Sequence, residues 1–169
     1  KDAAKRKLDP DQWFDNVEVV VAQRIGLETT TYVRNIFKYY VAYKLALDAG
    51  RLAHSAFGTS PTSLKGRHDV VTEMDREVER FIRDAIAARY PGDAILGEEE
   101  GGSAAGAKHA WIIDPIDGTA NYARGIPRYC VSIACLEDGQ PLVGALHDPS
   151  VDRLYHAELG GGAWMNGRC

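Results

Sequence analysis

The sequence predicts an α+β fold in which long N-terminal helices pack on one face of an antiparallel β-sheet. Two observations carry this prediction. Apolar residues recur at helical spacing through the first half of the chain, whereas after Pro127 the chain turns into short β-rich segments separated by turn dipeptides. Helices followed by a run of hairpins are typical of this layer arrangement. With 169 residues, 45% of them hydrophobic and 26% charged, the chain is long enough for a globular domain with a core.

Three helices are predicted before residue 91. Asp9-Pro10-Asp11 is typical of a helix start and predicts a first helix over residues 11–23. A second helix is predicted from Glu28 to about Phe57, without a break at residues 40–45. Its apolar face comprises Tyr32, Ile36, Tyr39, Tyr40, Tyr43 and Leu45. The third runs from Thr72 to Tyr90, with Thr72 as N-cap and Asp75 in an acidic first turn.

The strands are predicted from short β-rich runs. Residues 58–67 read as a polar loop with no strand before residue 65, and residues 69–72 as a short strand. Further strands are "AILG", which leads into Glu98-Glu99-Glu100, and Trp111–Ile113, which leads into two aspartates. The segments after Pro127 predict an antiparallel meander: "YCVSIACLED", "PLVGALHD", "RLYHAEL" and "GAWMNG".

Charge and cysteine usage exclude several classes of partner. The formal net charge of −4 gives no reason to expect nucleic acid or an anionic membrane surface. No apolar run approaches the roughly 18 residues of a membrane span. The three cysteines are odd in number and lack metal-ligand spacing, which argues against a disulfide framework or a zinc site. We therefore expect no nucleic acid, no membrane and a cytoplasmic location.

The segment "WIIDPIDGTANYARG", residues 111–125, carries the candidate chemistry. Pro115 favours extended geometry at Asp114, and Gly118 permits a sharp turn after Asp117. Such a turn would aim both carboxylates at one point, with the Ile116 carbonyl between them. Clustered carboxylate and carbonyl oxygens are ligands for Mg²⁺. Gly118-Thr119 would then open a short helix whose free amides face a phosphate, so the segment predicts a phosphate-ester site.

Each of these features also has a plainer interpretation. Asp-Pro and Asp-Gly are common turn dipeptides, the run Glu98–Glu100 suits a solvated acidic loop, and Asp75 suits the first turn of a helix. Their combination favours the site. "DVVTEMD", "GEEEG" and "WIIDPIDGTANYARGIP" occur in that order, and this pattern resembles the inositol monophosphatase family of metal-dependent phosphatases. The resemblance runs from about residue 40 to residue 167 and includes "ALDAGRLAHSAFG" and "GGGAWMNG".

The resemblance implies an activity and the residues that perform it. The activity would be Mg²⁺-dependent hydrolysis of inositol phosphate or a related small sugar or alcohol phosphate by activated water, with Mn²⁺ as a substitute metal. The implied metal ligands are Glu98, Asp114, Asp117 and the Ile116 carbonyl, with Glu99 as a more distant or water-mediated contact. Catalysis would use Glu98 together with Asp75 and Thr119, which orient the attacking water. The phosphate would be held at Asp117, Gly118 and Thr119.

The chain departs from the family in two ways. It stops at Cys169, whereas family members continue for roughly another hundred residues, which carry an aspartate that completes a metal site. We therefore expect residues 43–169 to be the N-terminal portion of a phosphatase domain, impaired by itself. Its uncovered sheet surface would favour a homodimer or other self-association. A non-catalytic metal-binding half-domain or a fusion fragment is the alternative.

The second departure is at the N-terminus. Residues 11–42 resemble the C-terminal helices of lytic murein transglycosylase domains, through Glu28-Thr29 and Tyr32-Val33. This predicts a separate segment over residues 1–42. A remnant of a peptidoglycan lytic transglycosylase is thus a further alternative, although the segment with that family's acidic catalyst is absent from this chain.

Overall fold

The structure is a computed structural model that describes Gln23, residues 27–64 and residues 70–169. The chain divides into two compact units, Lys1–Tyr40 and Val41–Cys169. The predicted helix over residues 11–23 lies outside the described residues, except for Gln23, which is helical. None of the helices in the described ranges is both long enough and apolar enough to cross a membrane.

Helix α1 spans Leu27–Ser55 and is continuous through residues 40–45, as predicted. The predicted apolar face is wrong in part, because Ile36 is 44% exposed and Tyr40 is 59% exposed. Small side chains dominate the buried apolar positions of α1 from Val41 onward, and small side chains let a helix approach its neighbours closely. These positions are Val41, Ala42, Leu45, Ala46, Ala49 and Ala53.

Two short strands precede helix α2. Strand β1, Thr62–Leu64, pairs with β2, Val70–Thr72, in an antiparallel ribbon. The prediction of a loop without strand over residues 58–67 is therefore wrong at β1. The backbone groups of β2 need hydrogen-bond partners, and the neighbouring segment supplies them. Helix α2 spans Glu73–Arg89 and begins at the predicted N-cap, Thr72, which forms a capping box with Asp75.

The main sheet has seven strands in the order β4-β3-β5-β6-β7-β8-β9. The strands from β5 to β9 form the predicted antiparallel meander. A short helix, α3, spans Thr119–Tyr122 between β5 and β6. The strand bounds are β3 Ala94–Gly97, β4 Gly101–Gly102, β5 His109–Asp117, β6 Cys130–Glu137, β7 Gln140–Asp148, β8 Arg153–Glu158 and β9 Gly162–Met165.

The sheet is mixed and not antiparallel throughout, because β3 and β5 are parallel. The chain leaves β3, returns along its outer edge as β4, and then enters β5 from the end where β3 began. A tight hairpin would have reversed the direction, but here a longer link intervenes. The consequence for the site is direct, since the C-terminal ends of β3 and β5 lie side by side at one edge of the sheet.

Helix α1 packs on one face of the main sheet, whereas a groove lies on the opposite face. Cross-strand neighbours Ile113, Ile133, Ala145 and His156 lie on one face, which we call the helix face. Tyr43 of α1 packs edge-on against His156 with ring centroids 5.3 Å apart. The opposite face, the open face, carries the alternate positions, and they are half-buried or exposed. A groove of about 600 Å³ lies there, and its lining includes Ser132, Leu146, Tyr155, Met165 and Arg168.

Gly50 is required in the middle of α1 by its contact with β7. A Cβ at Gly50 would overlap Nδ1 of His147, whose side chain is 1% exposed. Burial lowers the pKa of His147, which keeps the ring neutral where the helix touches it. The cost of a helical glycine is therefore offset by close packing of α1 on the sheet.

Candidate metal and phosphate site

A bulge in β5 turns the two aspartates to the same side. Asp114 pairs with Ser132 and Asp117 pairs with Cys130, so three steps along β5 match two along β6. In a regular strand, residues three apart point to opposite faces, and the extra residue cancels that inversion. The predicted end of this strand at Ile113 is therefore wrong, because β5 continues to Asp117. The sharp turn predicted after Asp117 is present at Gly118, but the bulge, not this turn, brings the two aspartates to one side of the strand.

Glu98 joins these aspartates through the parallel pairing of β3 and β5. Gly97 pairs with Ile113, and the next amide, Glu98 N–H, donates to the Ile113 carbonyl at 3.2 Å. Asp114 immediately follows Ile113 in β5. The structure thus brings the three predicted metal-ligating carboxylates, Glu98, Asp114 and Asp117, to the same edge of the sheet.

The electrostatics of Asp114 show how closely these carboxylates lie. Burial, together with the charges of Glu98 and Asp117, raises the pKa of Asp114 from its ordinary 3.8 to about 7. Its Oδ1 is buried and accepts no hydrogen bond from the described residues. The native fold therefore contains a carboxylate oxygen that lacks a donor and lies among like charges.

This donor set fits a hard cation. All the candidate groups supply oxygen, which suits Mg²⁺ or Mn²⁺ rather than a soft metal. Within the described residues, no group of three or more His, Cys, Asp or Glu side chains is arranged to enclose an ion. The carboxylates thus lie near one another without enclosing an ion-sized space. A cation bound between them would both coordinate Asp114 Oδ1 and relieve the repulsion among the three charges.

Asp75 and Thr119 meet beside this cluster. Asp75, 1% exposed, accepts from the Thr72 amide at 2.8 Å through Oδ2. Its Oδ1 is 2.9 Å from the Thr119 hydroxyl, which also lies 2.9 Å from the Ile116 carbonyl. The hydroxyl has one proton, so it donates to one of these acceptors at a time. The structure places together the two residues that the resemblance assigns to orienting water.

Gly118 makes the turn from β5 into α3. Its φ of 94° is left-handed, and a Cβ there would lie 2.8 Å from the Arg128 carbonyl. Only glycine meets both conditions without strain. The Gly118 carbonyl accepts the amides of Asn121 and Tyr122 at 2.9 and 3.0 Å, which begins the predicted short helix at Thr119.

Cys130 is an unforeseen neighbour of the site. Its thiol donates to Asp117 Oδ2 across 3.7 Å. Burial, together with the charge of Asp117, raises the pKa of the thiol to about 12, so it stays protonated. The sequence indicated only a small buried residue in a strand.

Glu79 is the other residue that sequence reasoning missed. It is fully buried on α2, and its carboxylate accepts the amides of Glu99 and Glu100 at 2.7 and 3.0 Å. A signal was present in the sequence, since Glu79 lies in the apolar stripe of α2 between Val78 and Ile82, where a carboxylate needs a partner. Glu99, an expected distant metal contact, is half-buried, and Glu98 is exposed.

Comparison with known proteins agrees with this geometry. Residues 38–169 match the family model of the Inositol monophosphatase family. The chain is 41% identical over 132 residues to the inositol-1-monophosphatase of Mesorhizobium japonicum, covering 76% of this chain and 50% of that protein. It is 41% identical over 129 residues to the histidinol-phosphatase of Chlorobaculum parvum, covering 75% and 50%.

Solved structures show the same fold. The inositol monophosphatase of Thermotoga maritima superposes with a TM-score of 0.72 at 36% identity, covering 78% of this chain and 51% of that one. The extragenic suppressor protein SuhB of Bartonella henselae gives a TM-score of 0.72 at 35% identity, covering 76% and 52%. The chain thus spans about half the length of these relatives. About half of residues 11–42 lie outside the described residues, and the resemblance of this segment to transglycosylase helices stays a prediction. The chain belongs to the inositol monophosphatase family.

Proposed function

We propose that this chain supplies the metal-binding half of a Mg²⁺-dependent phosphomonoesterase. The observation that carries the proposal is the proximity of Glu98, Asp114 and Asp117 at one sheet edge, where the pKa of Asp114 is raised to about 7 by burial and by the other two charges. A fold retains such repulsion when a cation relieves it. The bulge in β5 and the parallel pairing of β3 with β5 both serve this arrangement.

In this proposal, Glu98, Asp114, Asp117 and the Ile116 carbonyl hold Mg²⁺, with Mn²⁺ as a substitute. When bound, the metal supplies Lewis-acid polarisation of the phosphate and lowers the pKa of water. The chain itself orients the nucleophile. Thr119 donates its hydroxyl proton to the buried Asp75 carboxylate. The Thr119 oxygen can then accept a hydrogen bond from a water molecule, which orients a lone pair of that water toward the phosphorus.

The phosphate would lie at the Gly118-Thr119 turn, where backbone amides at the start of α3 face it and Asp117 borders it. Gly118 suits this position because glycine adopts the left-handed turn, close to the Arg128 carbonyl, that brings the chain from Asp117 to the start of α3. Glu99 would contact the metal through water. The substrate class is small alcohol phosphates, since the relatives are named for inositol phosphates and histidinol phosphate.

We assign this activity to residues 43–169, leaving residues 1–42 as a separate segment, and we propose that the 169 residues turn over little unaided. The chain spans half the length of the relatives it matches, and the family resemblance implies that the other half carries a metal carboxylate and much of the substrate pocket. Positioning supplies much of the rate in such displacements, and losing catalytic contributors costs orders of magnitude.

A chimaera tests the function. Residues 43–169 are joined to the C-terminal half of the Mesorhizobium japonicum enzyme, and phosphate release from myo-inositol 1-phosphate and histidinol phosphate is followed with and without Mg²⁺. We expect Mg²⁺-dependent release that Asp117→Asn removes. A folded chimaera that hydrolyses neither ester would contradict the proposal. Rapid turnover by the bare chain, lost in Asp117→Asn, would contradict the claim that it is impaired.

The open face supports a second candidate, a non-catalytic half-domain that self-associates. Tyr155 and Met165 are 38% and 41% exposed beside the groove. Apolar surface of this kind favours association, and a second copy of the chain is the occupant we propose. A folded, metal-binding but inactive chimaera, together with a concentration-dependent dimer of the 169 residues, would favour this candidate over the enzyme.

A further inference from the structure

Helix α2 presents two buried carboxylates on one side. Asp75 and Glu79 are four residues apart, which places them on the same helical face, and they are 1% and 0% exposed. Asp75 contacts Thr119 in the segment that follows β5. Glu79 contacts the turn that follows β3. The two segments that carry the candidate metal ligands are therefore both tied to this one helix.

The contacts of Glu79 are unusually complete for a buried carboxylate. Oε2 accepts the Glu99 amide at 2.7 Å, and Oε1 accepts the Glu100 amide at 3.0 Å and Arg83 Nε at 2.8 Å. Arg83 also donates to the Gly101 carbonyl and lies 3.6 Å from Glu100 Oε2. The turn is thus held through its backbone, which fixes its conformation more firmly than contacts between side-chain ends.

Gly97 shows how closely the turn is fitted to Glu79. A Cβ at Gly97 would overlap Oε1 of Glu79, so only glycine permits this contact. Burying an ion pair is a weak source of stability, because desolvation offsets the attraction. The role of the Glu79–Arg83 pair is instead positional, because Glu79 accepts two consecutive amides of one turn and so fixes where that turn lies.

We propose that Glu79 is a positioning residue for Glu98. The Glu98 backbone is bound on one side to β5, through its amide and the Ile113 carbonyl at 3.2 Å. On the other side it is held by Glu79 through the Glu99 and Glu100 amides. These two anchors direct the Glu98 side chain toward Asp114. The inference rests on the proposed function, because it takes Glu98 and Asp114 as ligands of one cation.

The test is Glu79→Gln in the 169-residue chain. Glutamine keeps the shape but loses the charge, and its amide group offers only one acceptor oxygen to two N–H groups and Arg83. Mn²⁺ binding is measured from the EPR signal of free Mn²⁺, and amide hydrogen exchange is measured at Glu99 and Glu100. We expect an Mn²⁺ dissociation constant about tenfold or more higher and faster exchange at both amides. Glu77→Gln, an exposed change on the same helix, is the control and should alter neither.

A second variant covers the case in which Glu79→Gln fails to fold. Gly97→Ala displaces the Glu79 carboxylate while keeping both charges of the pair, and it should reproduce the loss of Mn²⁺ affinity and of amide protection. A folded variant that exchanges faster but binds Mn²⁺ as wild type does would overturn the proposal. If the wild-type chain binds no Mn²⁺, the metal step of the proposed function fails. Amide exchange then decides the positioning role, which unchanged protection in Glu79→Gln would overturn and faster exchange would support.

Discussion

Asp114→Asn should stabilise the metal-free protein and abolish its response to Mg²⁺. Asparagine preserves the shape of the side chain and removes the charge. The pKa of Asp114 is raised in the folded state from 3.8 to about 7, so the native state binds this proton more tightly than the unfolded state does. The stability contributed by protonated Asp114 is therefore fully present below the unfolded pKa and is lost as pH rises through the folded pKa. Asparagine does not ionise, so the variant does not lose stability in this way.

The size of the effect follows from the shift. The interval from 3.8 to about 7 corresponds to ~4 kcal/mol at about 1.36 kcal/mol per unit. Asp114 is only half-buried, so solvent screening reduces this to ~1–2 kcal/mol. For a chain of this size, each kcal/mol moves the melting temperature by about 2–4 °C. We expect Asp114→Asn to melt about 2–8 °C above wild type at pH 8 in EDTA, with a smaller difference at pH 5.

Scanning calorimetry at both pH values, with EDTA and then with excess Mg²⁺, measures both effects. Mg²⁺ should raise the melting temperature of wild type, because a ligand that binds only the native state stabilises it, and should leave the variant unchanged. Asp84→Asn is the matched control, since Asp84 is exposed on α2 and distant in sequence from the cluster. A variant less stable than wild type in EDTA at pH 8, or equally responsive to Mg²⁺, would refute the reasoning.

Three further changes test the packing. Gly50→Ala should lower the free energy of unfolding in urea by ~1–3 kcal/mol, because the new methyl group overlaps His147. Adding His147→Ala should recover much of that loss. Equal stability of Gly50→Ala and wild type would count against the contact. Tyr122→Phe should cost ~1 kcal/mol by the same measurement, since the buried hydroxyl donates to the Ala53 carbonyl at 2.6 Å; no change would show the bond to be dispensable. Tyr155→Lys should shift sedimentation velocity profiles toward monomer across a concentration series, because it places a charge on the open face; a wild-type chain that is monomeric throughout would contradict self-association.

Local patterns predicted most of the secondary structure. Periodicity sufficed for α1 and α2 because their buried positions repeat within a few residues, and the Asp138-Gly139 turn sufficed for the β6–β7 hairpin. The parallel pairing of β3 and β5 is a contact between strands separated by another strand, and no local signal specifies it. Strand β1 was missed for the same reason, since Thr62–Leu64 become a strand through pairing with β2.

The candidate site was predicted by residue type but not by its means of assembly. The spacing of Asp114 and Asp117 suggested two carboxylates aimed together, and the structure achieves this with a bulge instead of a turn. Bulges depend on the partner strand, which the sequence of one strand does not reveal. Glu79 was missed because a glutamate in a helix is usually solvated, and its partners are backbone amides about twenty residues away, which carry no residue-type signal.

The bulge in β5 also determines which changes of chain length this segment tolerates. Substitution at Pro115 or Ile116 alters packing but leaves the strand in phase. Deletion of either residue leaves the aspartates two positions apart, and residues two apart in a regular strand point to the same face, so both carboxylates keep their side. The deletion removes the extra residue of the bulge, however, and with it the local bend and twist that the bulge gives to β5. The loss of a single codon there would thus keep both carboxylates on one face while changing the direction in which β5 enters the turn at Gly118. For this segment the number of residues between the aspartates sets the curvature of the strand and not the face that the carboxylates occupy.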